Sequence, residues 1–170
     1  NEDLNEFFQN DAPKYSKELL GKSYCFVLDK NPEIIVCAFT ISNDSIKAHL
    51  LPNGRKKKVT KPIPREKQLK NYPAVLIGRL GVNKDFMGKG IGKELMDFIK
   101  GWFIDTNNKT GCRFLVVDSY NEPKPISYYE KNGFIPLFTT EEQEKNYFDL
   151  EKSAILKTRL MYFDLIILSS

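Results

Sequence analysis

The feature that most limits the fold is the run AVLIGRLGV (74–82), followed after three residues by FMGKGIGKEL (86–95). The first run is nearly all apolar, as a central strand buried on both faces should be. In the second, Gly88, Gly90 and Gly92 alternate with Lys89 and Ile91. A helical pattern then begins: Ile91, Leu95, Met96, Phe98, Ile99, Trp102 and Phe103 share one face, and Lys93, Glu94, Asp97 and Lys100 the other. This predicts an amphipathic helix of about four turns covering a sheet. The loop between strand and helix presents consecutive backbone N–H groups at the positive end of the helix dipole. Its glycines let backbone approach a ligand closely, and Lys89 and Lys93 add charge. A pyrophosphate suits such a loop; a glycine-rich helix start without a ligand is the alternative.

Two common phosphate loops are excluded. The Walker loop needs four residues between its glycines and a Ser or Thr after the lysine. Here three residues separate Gly88 from Gly92, and Glu94 stands where the hydroxyl should be. The dinucleotide fingerprint needs a third glycine at 93, which is lysine, and an acidic strand end about 20 residues on, where the pattern is still helical.

Around this centre the chain alternates in a readable way. Residues 2–20 read as a helix and a polar break, with Leu4, Phe7, Phe8 and Ala12 as the apolar stripe. SYCFVLD (23–29) and EIIVCAFTI (33–41) read as strands about the turn KNP, and SIKAHL (45–50) as a third. The stretch 51–73 holds Pro52, Pro62, Pro64 and Pro73, which predict no regular structure over most of it. It also holds Arg55, Lys56, Lys57, Lys58, Lys61, Arg65, Lys67 and Lys70 against Glu66 alone. It reads as a solvated loop or as a surface for a polyanion. RFLVVDSY (113–120) is a second buried strand, PISYYEKNGF (125–134) a short helix stopped at Gly133, and RLMYFDLIIL (159–168) a closing strand. The acidic segment 139–153 lies before that last strand.

Composition narrows the function classes. At 170 residues with 41% hydrophobic and 28% charged residues, one globular domain spanning 1–170 is expected. The net charge of +4 is compatible with an acidic ligand or nucleic acid. His49 is the only histidine, so a zinc site or serine–histidine triad has little to work with, and no metal is expected. Cys25, Cys37 and Cys112 sit in apolar runs and read as buried free thiols. No signal peptide is visible and the apolar tail is too short to span a bilayer, so the expectation is a cytoplasmic protein without membrane contact.

The glycine run and its surroundings resemble motif A of the GNAT acetyltransferases, which bind acetyl-CoA: here MGKGIG (87–92), with LIGRLGV (76–82) before it. YYEKNGF (128–134) is similar to the family's second signature, an aromatic pair followed by Gly-Phe. The resemblance covers nearly the whole chain. It implies an α/β (α+β) fold with a mixed, mostly antiparallel sheet of six to seven strands, splayed at the acetyl-CoA site and flanked by helices. It implies a cofactor-binding set of Leu80, Gly81, Val82, Met87, Gly88, Lys89, Gly90, Ile91, Gly92, Lys93 and Asn121. Met87 stands where the family has Arg or Gln, so one side chain near the pyrophosphate is missing. The interval from Asn121 to Tyr129 is one residue longer than usual. A narrower likeness, carried by LNEFF (4–8), FVLDKNPEIIVCAFTISNDSI (26–46) and YPAVLIGRLGV (72–82), points to the GNAT toxins of toxin–antitoxin pairs, which acetylate the α-amine of aminoacyl-tRNA. It brings RNA and an antitoxin as possible partners; a homodimer is implied by analogy with the family.

The resemblance implies direct transfer without an acyl-enzyme. Backbone groups of Leu80 and Val82 would polarise the acetyl carbonyl. Tyr129 is the candidate general acid, with Tyr128 as the fallback and as a substrate-binding residue beside Arg79. Many relatives carry a glutamate on the central strand; here Arg79 is there instead, and Asp118 or water is left as base. At pH 7 a lysine amine of pKa about 10.4 is only ~0.04% neutral, whereas an α-amine near 7.8 is ~14% neutral. A site without a strong base therefore favours an α-amine, and Arg79 with the basic stretch favours an anionic acceptor. A non-catalytic CoA-binding or nucleic-acid-binding member of the fold is the competing expectation.

Overall fold

The computed structural model describes residues 2–61, 63 and 69–169. Its six strands form a mixed, mostly antiparallel sheet flanked by helices. The chain divides into two compact units, residues 1–43 with 75–110, and 44–74 with 111–170.

In the first unit, α1 (Glu2–Glu6) and α2 (Ala12–Lys17) are joined by a π turn over Phe7–Asp11. One helix over 2–20 was expected. Pro13, in the first turn of α2, has no N–H to donate to the turn before it, so the hydrogen-bond ladder widens there. Strand β1 (Lys22–Leu28) pairs antiparallel with β2 (Asn31–Lys47), with register shifts on either side of Val27. The expected turn at 30–32 sits at Asp29–Lys30, and the two strands expected at 33–41 and 45–50 are one 17-residue strand ending in a 3-10 turn, Ala48–Leu50. Residues Val36 to Thr40 are all buried, so this stretch is covered on both faces.

Strand β3 (Asn71–Val82) follows β2 in the order β1-β2-β3. The amphipathic helix is α4 (Ile91–Ile104), which buries Leu95, Met96, Ile99 and Phe103. Its Trp102 meets Tyr24 at 4.9 Å and its Phe98 meets Phe26 at 5.0 Å, both edge-on, which seats the helix on β1. Lys100, expected on the solvent face, is buried instead, and burial lowers its ammonium pKa. Cys37 is buried as expected; Cys25 is exposed, in the exposed run Cys25–Val27 of β1, and Cys112 is half-buried, before its strand begins.

In the second unit, helix α3 (Asn53–Thr60) occupies part of the stretch expected to lack regular structure. Pro52 stands at its N-cap, where a missing N–H costs nothing, and Val59 is its buried anchor. Of the basic residues named there, Arg65 and Lys67 lie outside the described residues, as do Pro62, Pro64 and Glu66. Strand β4 (Phe114–Tyr120) pairs along its whole length with β6 (Thr158–Asp164), from Phe114↔Asp164 to Tyr120↔Thr158. The two-residue β5 (Ile135–Pro136) lies on the other side of β6. Between them run α5 (Pro123–Lys131) and α6 (Glu141–Tyr147). The expected closing strand stops at Asp164, where a 3-10 turn over Leu165–Leu168 begins.

The end of α5 explains the Gly-Phe pair. Gly133 has φ +80, and a Cβ there would meet the Phe163 ring at 3.1 Å. Phe134 N–H then bonds the Tyr129 carbonyl at 3.0 Å and its ring is 1% exposed. Glycine releases the helix and phenylalanine anchors the chain in the core.

Candidate active site

The glycine loop belongs to the first unit. Asn83 fastens the end of β3 to β2: its N–H bonds Val36 O at 2.9 Å and its side-chain amide bonds Ile35 O at 2.9 Å. Its side-chain oxygen accepts Asp85 N–H, starting a 3-10 turn over Lys84–Phe86. Met87 is extended and 59% exposed. Gly88 and Gly90 both take positive φ, +76 and +84, and a Cβ built on either meets nothing within 4 Å. Protein crowding is therefore not what selects glycine; the backbone conformation is, and the space above it is open.

Gly90 is the N-cap of α4, and its carbonyl accepts Lys93 N–H at 2.9 Å and Glu94 N–H at 3.1 Å. Among the described residues, no backbone acceptor outside the regular elements takes the N–H of Gly88, Lys89 or Gly90. These amides, with Ile91 N–H at the head of a 14-residue helix, are donors at the positive end of the helix dipole that could hold an anionic group. Both lysines have partners within the protein. Lys89 Nζ donates to Asp85 O at 2.8 Å, and Lys93 Nζ pairs with Asp97 at 2.5 Å one turn down the helix, which raises its pKa.

Upstream, Leu80, Gly81 and Val82 are half-buried, and Leu4 lies 3.4 Å from where a Gly81 Cβ would be. Arg79 N–H bonds Thr40 Oγ1 at 2.9 Å. Its guanidinium lies 5.1 Å above the Phe7 ring, with Nε 3.9 Å from Asp3. The N-terminal helices therefore hold this arginine. Gly92 lies within α4.

The second unit carries the other expected residues. Tyr129 lies on α5 between Tyr128, ring centroids 5.1 Å apart, and Phe134 at 5.7 Å. Its phenol is pushed up to about 12, by burial first, then by Asp118 and Tyr120. It is thus a protonated O–H donor at any physiological pH. Asp118 is exposed at the outer end of β4, opposite Leu160. Surrounding protein, with Asp44 and Glu144 adding negative potential, raises its carboxyl above the usual range.

Tyr128 adds its carbonyl, which receives the Asn132 side-chain amide at 2.8 Å. Asn121 has its side-chain N–H groups engaged by Glu141 at 2.9 Å and by Leu156 O at 3.0 Å. It ties the turn after β4 to α6, which leaves its side-chain oxygen for a ligand.

Residues that sequence reasoning passed over come from the acidic segment. Glu144 is 1% exposed; it accepts Leu160 N–H at 2.5 Å and Arg159 Nε at 2.7 Å. Strand β5 stops short of Leu160, so the carboxylate satisfies an edge N–H that would otherwise be buried without a partner. Tyr147 accepts Lys47 N–H at 3.1 Å. The only legible signal is the cap Thr140-x-x-Gln143, which marks where α6 starts. In the basic stretch, Arg55 donates to the carbonyls of Leu137, at 2.5 Å, and Pro136, which takes it out of any polyanion surface. Among the described residues there is no group of His, Cys, Asp and Glu able to hold a metal ion.

Comparison with known proteins agrees with this architecture. A family model described as an acetyltransferase (GNAT) domain matches residues 21–136. No curated protein matches the chain by sequence. Among solved structures, a tyrosine-to-phenylalanine mutant of KacT is 20% identical with a TM-score of 0.73, over 99% of this chain and 85% of that one. AtaT in complex with acetyl-methionyl-tRNAfMet is 19% identical with a TM-score of 0.68, over 99% and 85%. AtaTR bound with acetyl-CoA is 20% identical with a TM-score of 0.67, over 100% and 87%.

Proposed function

The chain belongs to the GNAT acetyltransferase family and is an N-acetyltransferase, and from that premise we propose that it transfers the acetyl group of acetyl-CoA to the α-amine of an anionic acceptor, aminoacyl-tRNA. The observation that carries the donor half is the pair of positive-φ glycines, Gly88 and Gly90, opening to free space, at the head of α4, amides that have no backbone acceptor among the described residues. Met87 to Lys93 hold the pyrophosphate, largely through backbone, and the Leu80 and Val82 backbone aligns the pantetheine arm. Bound acetyl-CoA supplies an activated thioester.

The residues of the second unit handle protons. The acceptor nitrogen forms a bond to the acetyl carbon and the carbon–sulfur bond breaks. Asp118 takes the proton the amine sheds. Tyr129 donates its hydrogen bond to the departing sulfur. A phenol near 12 is a poor full donor to a thiolate whose acid has a pKa of ~8.5. Protonating Asp118 removes one of the charges that hold Tyr129 high, so taking the amine proton eases release of the phenol proton. The phenol is restored from Asp118 or from solvent.

The acceptor half rests on amine pKa, on the basic side chains left exposed, Lys57, Lys58, Lys61 and Lys70, and on the toxin-branch likeness. KacT and AtaT are named in complexes with DNA, with acetyl-methionyl-tRNA, and with the antitoxin AtaR. By analogy this chain acts as one domain over 1–170, in the cytoplasm, as a toxin with an antitoxin partner and as a homodimer. No described helix is long and apolar enough to cross a membrane.

The test is thiol release from acetyl-CoA with an amine panel: aminoacyl-tRNA, amino-acid amides, peptide N-termini and lysine side chains. Turnover with aminoacyl-tRNA well above lysine side chains is expected, with growth arrest on expression that Tyr129→Phe relieves. Preference for lysine side chains, or harmless expression at high level, contradicts the acceptor reading.

A further inference from the structure

The glycine loop is tied to the sheet through one side chain. Strand β2 has one residue more than β1 where Phe26 pairs with Cys37 and Val27 with Ile35, so Val36 is the extra residue of a bulge. Successive carbonyls of a regular strand point to opposite sides. At this bulge the carbonyls of Ile35 and Val36 are both taken by Asn83. Its side-chain amide donates to the first at 2.9 Å and its main-chain N–H to the second at 2.9 Å. On the loop side, Asn83 Oδ1 accepts Asp85 N–H at 3.2 Å and its carbonyl accepts Phe86 N–H at 2.9 Å. One half-buried residue thus closes β3 against β2 and opens the 3-10 turn over Lys84–Phe86.

The turn carries this tie onward. Lys89 Nζ donates to Asp85 O at 2.8 Å and lies 5.2 Å from the centre of the Phe86 ring. Asp85 is therefore held on its N–H by Asn83 and on its carbonyl by a lysine of the glycine loop. Among the described residues, every hydrogen bond of residues 84–90 has its partner between Asn83 and Glu94. Above the loop there is no support: a Cβ on Gly88 or Gly90 meets nothing within 4 Å, and Met87 is 59% exposed. Amides that must converge on one anion bind it better when they are held in place beforehand, because less freedom is lost on binding.

We propose that Asn83 is the positioning residue of the pyrophosphate loop: it carries the geometry of the β2 bulge to the amides of Gly88, Lys89 and Gly90 without itself touching the ligand. The proposal rests on the donor reading given above. It also accounts for a loop that works with Met87 in place of a ligand-binding side chain, since backbone held this way needs less help from one.

The experiment compares CoA, which carries the pyrophosphate, with pantetheine, which lacks it. CoA is titrated by calorimetry and pantetheine by competition against CoA. The wild type should bind CoA about 100-fold or more tighter than pantetheine. Asn83→Ala should lower that ratio by about tenfold or more, with the loss on the CoA side. Asn83→Ser keeps an oxygen for Asp85 N–H but loses the tie to Ile35, and should lower the ratio by about threefold. The serine variant decides the matter should the alanine variant not fold. A residue that only stabilises the fold weakens both ligands in proportion and leaves the ratio at its wild-type value; that result in the folded variants overturns the proposal while the donor reading stands. Equal binding of CoA and pantetheine by the wild type overturns the donor reading, and the proposal with it.

Discussion

Replacing Gly90 by alanine separates what the loop costs the fold from what it does for a ligand. At φ +84 an L residue carries a left-handed penalty of about 1–2 kcal/mol. No steric term adds to it, because the new methyl meets no protein atom within 4 Å. For a chain of this size, that corresponds to a fall in Tm of ~2–8 °C. The methyl points into the space assigned to the pyrophosphate, however, and the same amides would have to approach a phosphate past it. Acetyl-CoA affinity should fall at least ~10-fold, or 1.4 kcal/mol, on top of the stability change. Gly133→Ala is the control. It has the same backbone strain at φ +80 plus a 3.1 Å approach to Phe163, so it should lose more stability than Gly90→Ala, yet its folded fraction should bind acetyl-CoA normally. Calorimetric titration and a thermal melt on both variants decide the matter. If Gly90→Ala binds acetyl-CoA as tightly as wild type while showing the expected drop in Tm, the loop is a helix start and not a cradle.

Three further outcomes follow from the same geometry. Tyr129→Phe should leave acetyl-CoA binding intact and lower kcat by about 10²–10⁴-fold, measured by thiol release. The pH profile of kcat/KM should have an acidic limb set above the ordinary carboxylate range, since Asp118 must be deprotonated and desolvation by the protein around it, with Asp44 and Glu144, raises it; activity rises with pH through that limb, and Asp118→Asn should remove it. With Tyr129 at about 12, ionisation of the phenol adds no alkaline limb at working pH. Glu144→Ala leaves Arg159 without its partner and Leu160 N–H without an acceptor, and should cost about 3–5 kcal/mol in a denaturant melt.

What the sequence disclosed and what it hid have physical reasons. The β3–loop–α4 unit was legible because period, glycine and apolar run agree within thirty residues. The α5–Gly133–Phe134 corner was legible for the same reason. The basic stretch misled because its prolines dominate the pattern, although Pro52 stands at the N-cap, where its missing N–H costs nothing, and Val59 supplies the buried anchor. The strands at 33–41 and 45–50 looked separate because Asn43 and Asp44 carry turn chemistry that the sheet overrides. Two-residue β5 offers no periodicity at all. The roles of Glu144, Tyr147 and Arg55 were invisible because each acts on a partner 15, 100 and 82 residues away. Arg79 was expected to bind substrate and Asn121 to bind cofactor. Sequence could not tell that Phe7 and Asp3 hold the first and that Glu141 and Leu156 engage the second.

The central claim is acetyl transfer to the α-amine of aminoacyl-tRNA. The most direct measurement incubates the protein with radiolabelled acetyl-CoA and aminoacylated tRNA, beside the same tRNA deacylated and the same tRNA with its α-amine already blocked. The account predicts label only on the free-amine aminoacyl-tRNA, released by mild base with the aminoacyl ester and absent with Tyr129→Phe. Label on deacylated tRNA, or none on any tRNA from a protein that binds acetyl-CoA, would contradict it.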